Sequence, residues 1–227
     1  MTLRNDSESA PLRGLRVSAP SNLSRKIIPL PIGRVFTSST SAGATHGALM
    51  HALFEQVRWL EDFQFDRDRL RQIAATSVDP EALRHASVER ILDEFAGLLG
   101  QANVRGALSR QRYSHSFFGQ QPDSVEIDNE RMVSLVLDRK LVSGTIDRLA
   151  VLHRDGRPYA AEIFDFKTDQ FETRRSKKWL QERVDHHRPQ LEIYAQVVAA
   201  LFGLPRDRIA TYLVMLASDD LVCCDPQ

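Results

Sequence analysis

The chain has 227 residues and a mass of 25.7 kDa, about one and a half times a usual domain of ~150 residues, so one large domain or a domain with a helical appendage is expected. A composition of 42% hydrophobic, 26% charged and 7% aromatic residues excludes wholesale disorder and fibrous or collagenous structure. Thirty basic side chains balance thirty acidic ones, so a polyanionic partner must be held by a local patch rather than a global field.

The two cysteines, Cys223 and Cys224, are adjacent, which excludes a disulfide framework and a four-cysteine zinc or iron–sulfur site. They read as incidental thiols in a reducing compartment. No apolar run approaches the ~18 residues that span a bilayer, and MTLRNDSESAPLRGLR lacks the hydrophobic stretch of a signal peptide. A soluble, cytoplasmic protein is expected.

Residues 1–44 are rich in Ser, Pro, Thr and Arg without sustained period and read as a flexible arm or linker before a domain over 45–227. Leu49, Met50, Leu53, Phe54, Val57 and Leu60 fall at helical spacing, which predicts a helix from an N-cap at Thr45 to about Asp62. A second helix is expected from Pro80 to Gly100, carrying Leu83, Ala86, Ile91, Leu92, Phe95 and Leu98. Together they make a helical part over 45–110, with a sheet core over 125–220. In that core the period shortens. Val133, Leu135 and Leu137 alternate, Asp138-Arg139-Lys140 makes a turn, and Leu141 to Leu152 reads as a paired strand. Asp155-Gly156 is a hairpin signal before a third strand over Tyr159 to Lys167, giving an antiparallel meander. Residues 174–188 are polar and basic, Pro189 is expected to open a helix through Phe202, and Ile209 to Leu216 reads as a buried strand.

The chemistry is concentrated in residues 143–169. Strand alternation puts Asp165 and Lys167 on one side of the sheet and Phe166 on the other. Folding at Asp155-Gly156 pairs residues whose numbers sum to roughly 311, so Asp147 comes within a few positions of Asp165. Two converging carboxylates suit Mg²⁺, a hard cation that takes oxygen ligands. A lysine beside them can orient an attacking water and stabilise charge at a phosphorus centre. Alone, Asp-x-Lys reads equally well as an exposed salt bridge on an amphipathic hairpin.

It has company. Gly47-Ala48-Leu49-Met50-His51-Ala52-Leu53-Phe54-Glu55, then Glu130 with Val133 and Ser134, then Gly144-Thr145-Ile146-Asp147-Arg148, then Asp165-Phe166-Lys167-Thr168-Asp169, then Gln190-Leu191-Glu192-Ile193-Tyr194 follow in order. This series resembles the PD-(D/E)XK nuclease superfamily, and within it the nuclease domains of RecB and AddA helicase–nucleases. Ala48 stands where the family has Thr, Phe166 where it has Tyr, and His187 where a tyrosine precedes the glutamine.

The resemblance implies an α/β fold with a restriction-endonuclease-like core, a central mixed β-sheet flanked by helices and an N-terminal helical part. It implies a Mg²⁺ or Mn²⁺ ion held by His51, Asp147, Asp165 and the backbone carbonyl of Phe166, with Asp147, Asp165, Lys167, Gln190 and Tyr194 as catalytic residues. Glu130 is a candidate accessory carboxylate with Glu126 as its rival, and a Gln190–Tyr194 pair of structural role only stays open. Arg174, Arg175, Lys177, Lys178 and Arg188 read either as a track for a phosphate backbone or as a solvated loop, and Trp179 as a base-stacking ring or as core.

The chain carries no Walker-type loop, so no ATP site, and lacks the four cysteines of relatives with an iron–sulfur cluster. The expected function is a metal-dependent deoxyribonuclease, exonucleolytic, acting on DNA single strands or ends in repair or recombination, alone or with a helicase subunit or domain. The alternatives are a non-catalytic DNA-binding or partner-docking module and a nuclease of RNA or foreign DNA.

Overall fold

The computed structural model describes residues 30–31, 42–137, 140–168 and 177–225. A six-stranded mixed sheet is built from β1 (Leu30–Pro31), β2 (Ser124–Leu137), β3 (Lys140–Arg154), β4 (Arg157–Lys167), β5 (Ile209–Met215) and β6 (Asp220–Cys223). Among the described residues five α-helices precede β2: α1 (Ala42–Glu55), α2 (Arg67–Ser77), α3 (Pro80–Arg84), α4 (Val88–Leu98) and α5 (Ala102–Leu108). A sixth, α6 (Lys177–Phe202), crosses between β4 and β5. This is the expected restriction-endonuclease-like α/β core with helices before it. Among the described residues no helix is long and apolar enough to cross a membrane.

The antiparallel β2–β3–β4 meander forms as its turn residues dictate. Asp155 and Gly156 have φ of 51° and 71°, the two positive values that a type I′ hairpin needs to match strand twist. Arg148 lies opposite Phe164 and Ala150 opposite Glu162, and a bulge at Leu152/His153 shifts the ladder before the turn. β5 runs parallel to β4, and β6 antiparallel to β5. Because β2 occupies one edge of β3 throughout, β1 and β4 must share the other. β1 pairs at Val142 and Ser143, β4 from Arg148 onward, and the stretch between faces neither.

Two layers of apolar side chains close on this sheet. One face carries Phe164, Phe166 and Val214 against Leu49, Leu53 and Phe54 of α1 and Phe95 of α4, with Phe54 stacked on Phe166 at 4.7 Å. The other carries Ile146, Leu149, Ile163 and Leu213 against Val184, Leu191, Tyr194 and Val198 of α6. β5, covered on both faces, is buried at every position except half-buried Tyr212, and is apolar but for Thr211 and Tyr212, as suits a central strand paired in parallel with β4.

The helical half departs from the expected two helices. α1 starts at Ala42 and stops at Glu55, well short of Asp62, although Val57 and Trp59 stay buried beyond its end. The stretch from Pro80 to Gly100 is broken at His85 and restarts after Ser87, so it forms two helices. α2 escapes the apolar pattern because only Leu70 and Ala74 are buried; Arg67 and Arg71 bind Glu89 of α4 instead. Nor does Pro189 open a helix. It lies inside α6, whose upstream half is held to the sheet through buried Val184. Leu30 and Pro31, within the segment read as an arm, pair with β3.

α5 has only seven residues and takes its cap from a distant element. Asp219, at φ 51° between β5 and β6, accepts hydrogen bonds from the backbone N–H groups of Ala102, Asn103 and Val104 at 3.0, 2.9 and 3.3 Å. Asp219→Ala is expected to cost about 0.5–2 kcal/mol, the range of a lost N-cap. Urea unfolding checks this, and a change below a few tenths would show that the carboxylate contributes nothing.

Candidate active site

The site lies where β4 parts from β3. Asp147 is the last residue of β3 before the β4 ladder begins, and its Oδ2 accepts the Phe166 N–H at 2.8 Å, standing in for a strand partner. From the side of α1 comes His51, whose Nδ1 lies 3.2 Å from Asp147 Oδ1 and 3.5 Å from Glu130 Oε1. Gly47, one turn earlier on the same helical face, brings α1 close: a Cβ there would lie 3.3 Å from Thr168 Oγ1.

Glu130 reaches the group through a kink. Its φ is 50°, a left-handed conformation inside a strand, and the β2–β3 ladder skips the Glu130–Asp147 pair while holding register on both sides. Side-chain alternation breaks there. Ile127 packs on the face of Trp59 and Val133 beneath α6, although an even number of positions separates them. On β3, Ile146 lies beneath α6, as do Leu149 and Val151. Hence two consecutive residues of each strand, Asn129 with Glu130 and Asp147 with Arg148, turn toward α1.

The donor atoms of His51, Glu130 and Asp147 lie within 4.8 Å of one another. A small divalent cation with bonds of ~2.1–2.3 Å spaces adjacent ligands by about 3.0–3.3 Å, close to the two separations from His51. One imidazole and two carboxylates are donors for a divalent cation, so the residues fit the kind of metal that the family implies.

Asp165, 2% exposed, stands outside that trio. Its Oδ2 lies 2.5 Å from Lys167 Nζ, and it is on the α6 face of β4 with Ile163. The gap between β3 and β4 lets the two faces meet, so the Asp165–Lys167 pair and the trio adjoin through Asp147. The two aspartates are driven apart in acidity. Burial and the neighbouring Asp147 charge hold Asp165 above the ordinary carboxylate range in spite of Lys167. At Asp147 burial acts the same way, but His51, Lys167 and the Phe166 N–H outweigh it and hold the group low.

The sign for stability follows. A folded-state pKa above the unfolded value contributes stability below the unfolded pKa, and that contribution is lost as pH rises through the folded value. In metal-free buffer the melting temperature of Asp165→Asn relative to wild type is therefore expected to rise as pH climbs above about 4, the ordinary carboxylate value. A difference that stays flat or falls as pH climbs would refute the assignment.

On α6, Gln190 Nε2 donates to the Tyr194 hydroxyl at 2.9 Å, and the Thr145 backbone N–H bonds the same oxygen. Burial raises the Tyr194 phenol well above its usual range. This pair thus ties α6 to the strand carrying Asp147. Of the basic residues, Arg174 and Arg175 lie outside the described residues, and Lys177 opens α6. Lys178 is exposed, 3.9 Å from Glu182. Arg188 Nη1 donates to the Cys224 carbonyl at 2.9 Å, so its guanidinium anchors the end of β6. Trp179 is half-buried against the α6 core with Arg183 over its ring at 5.9 Å.

Sequence reasoning placed Glu130 at the margin of the site. The signal that could have centred it is the pairing of Leu137 with Lys140: counting outward from that pair, Glu130 meets Asp147, while Glu126 lies opposite Val151. Arg148 was read only as part of a motif. It is 1% exposed, and its guanidinium donates to the carbonyls of Val57 and Arg58 at 3.0 and 2.9 Å, just past the end of α1.

No curated protein matches the chain. The sequence profile of the PD-(D/E)XK nuclease superfamily matches residues 30–220, a span that holds every strand and helix bordering this site. The chain belongs to the PD-(D/E)XK nuclease superfamily.

Proposed function

We propose that the chain is a Mg²⁺- or Mn²⁺-dependent deoxyribonuclease acting exonucleolytically on single strands or ends in DNA repair or recombination, as a partner of a helicase or alone. The observation that carries this reading is the meeting of His51, Glu130 and Asp147 with the Asp165–Lys167 pair at the open end of the sheet. When bound, the metal supplies a Lewis acid and a water of lowered pKa.

The protein's own groups do the rest. Lys167, held by Asp165, directs its ammonium at the attacking water and at charge gathering on phosphate oxygens. Asp165 and the Phe166 carbonyl would add oxygen donors to the set supplied by His51, Glu130 and Asp147. Gln190, bonded to the buried Tyr194, positions the strand that carries Asp147, and exposed Lys178, with Arg174, Arg175 and Lys177, tracks the DNA backbone.

Cleavage of end-labelled single- and double-stranded DNA, with RNA alongside, tests the reading in Mg²⁺, Mn²⁺ or EDTA. Metal-dependent cutting of DNA is expected, and the fragment ladder reports its polarity. Salt-sensitive DNA binding without cutting would replace the enzyme by an inert binding module, and preferential RNA cleavage would change the substrate. Metal binding has an independent signature. Mn²⁺ at about a hundred times its Kd stabilises by ~2.7 kcal/mol. At about 2–4 °C per kcal/mol for a chain of this size, that is a rise of roughly 5–11 °C. The rise should vanish in Asp147→Asn; an equal rise in that variant would place the ion elsewhere.

A further inference from the structure

The kink in β2 and β3 does two things at once. Of the two consecutive residues that each strand turns toward α1, one faces the donor trio and the other grips the helix that carries His51. Asn129 Nδ2 donates to the carbonyls of Glu55 and Val57 at 3.0 and 3.1 Å. Arg148 Nη1 donates to the same Val57 carbonyl and to Asn129 Oδ1 at 3.0 and 3.1 Å, and its Nη2 to the Arg58 carbonyl at 2.9 Å. The Glu55 carbonyl lies in the last turn of α1, where helix oxygens lack intrahelical partners, and those of Val57 and Arg58 lie just past it.

Among the described residues no carboxylate bonds Arg148. Its guanidinium is desolvated, with its Cζ 5.4 Å from the Trp59 ring centroid. Stability alone gives little reason to bury an arginine against neutral carbonyls, since a shorter amide or an apolar side chain would cost less desolvation. The arrangement makes sense as a fixture: its members sit next in sequence to Glu130 and Asp147 and one turn beyond His51, so it sets the distance between ligands that come from separate elements.

We infer that Asn129 and Arg148 form a clamp that positions His51 against Glu130 and Asp147, so that its loss loosens the metal site more than it loosens the fold. This rests on the metal-dependent reading given above. Clamp members are positioning residues; neither touches the reacting atoms. Groups that orient ligands from behind typically change metal affinity by about 10–100-fold when removed.

The experiment is Mn²⁺ titration of full-length Asn129→Ala and Arg148→Lys by calorimetry, well below each variant's melting temperature, beside wild type, Asp147→Asn and Asp219→Ala. Asn129→Ala keeps the arginine, and Arg148→Lys keeps the charge but cannot span three acceptors. Asp219→Ala supplies a loss of stability remote from the site. Expected is a Kd weaker by about tenfold or more in at least one clamp variant, with wild-type affinity in Asp219→Ala. Wild-type affinity in both clamp variants, with binding abolished in Asp147→Asn, overturns the clamp and leaves the metal site standing. Equal weakening in Asp219→Ala reduces the effect to general stability and also overturns it. Absence of Mn²⁺ binding in wild type would remove the metal-dependent reading itself.

Discussion

Lys167→Ala is expected to lower the rate of DNA cleavage by about 10²–10⁴-fold, the range of a lost proton-handling or charge-stabilising side chain. The fold should survive. Lys167 ends β4, where its backbone pairs with Met215 and its carbonyl accepts the Leu216 N–H at 3.0 Å, and neither contact needs the side chain. Removing the ammonium leaves Asp165 buried without its cation, but a carboxyl already held above its usual range takes up a proton instead, which limits the loss to about 1–3 kcal/mol. Lys167→Arg is not expected to restore the rate, because a planar, permanently charged fork replaces a compact ammonium. Single-turnover cleavage with saturating Mn²⁺ reads the rate, and circular dichroism reads the fold. A variant that cuts within about tenfold of wild type would take Lys167 out of the chemistry.

The largest loss of stability is expected from Glu162→Ala. Glu162 is 0% exposed, and its two carboxylate oxygens accept from Arg112 Nε and Nη2 at 2.7 and 2.6 Å. The same guanidinium lies over the rings of Phe164 and Tyr212 at 5.1 and 4.8 Å, so it fills the layer between the sheet and its covering turn. Burial opposes its charge, and Glu162 more than offsets that. Removing the carboxylate strands a buried cation at about 3–5 kcal/mol. At about 2–4 °C per kcal/mol, melting should fall by roughly 6–20 °C. Replacing Arg112 and Glu162 together by methionine should recover part of the loss, since an apolar pair leaves no stranded charge. A double variant worse than Glu162→Ala would mean that the ring contacts of Arg112 outweigh the pair.

The β2–β3–β4 meander and β5 were legible, the meander because its hairpin turn announces itself, whereas the short edge strands β1 and β6 were not. Asp155-Gly156 admits one hairpin geometry, and register on both sides then follows by counting, short of the bulge at Leu152/His153. The helices were less so, since their limits are set by partners far along the chain. α1 stops where Asn129 takes the Glu55 carbonyl and Arg148 the carbonyls just beyond, α2 is held by Arg67 and Arg71, and α5 begins where Asp219 caps it. None of these is a local preference. In the site, the spacing of Asp147, Asp165 and Lys167 was readable from strand alternation. The approach of Glu130 was not, because it depends on a left-handed residue inside a strand, where alternation no longer applies.

The parallel pairing of β4 with β5 bears on when a nascent chain becomes competent to cut. Those strands cannot meet until the 26 residues of α6 have crossed the sheet, and such non-local closures come late in folding. His51, Glu130 and Asp147 are synthesised well before the strand that fixes the end of β4, so an emerging polypeptide carries ligands without a braced Asp165–Lys167 segment. A chain that ends before Ile209 lacks the strand against which Asp165 and Lys167 pair, so that segment is fixed only once α6 and β5 have been made.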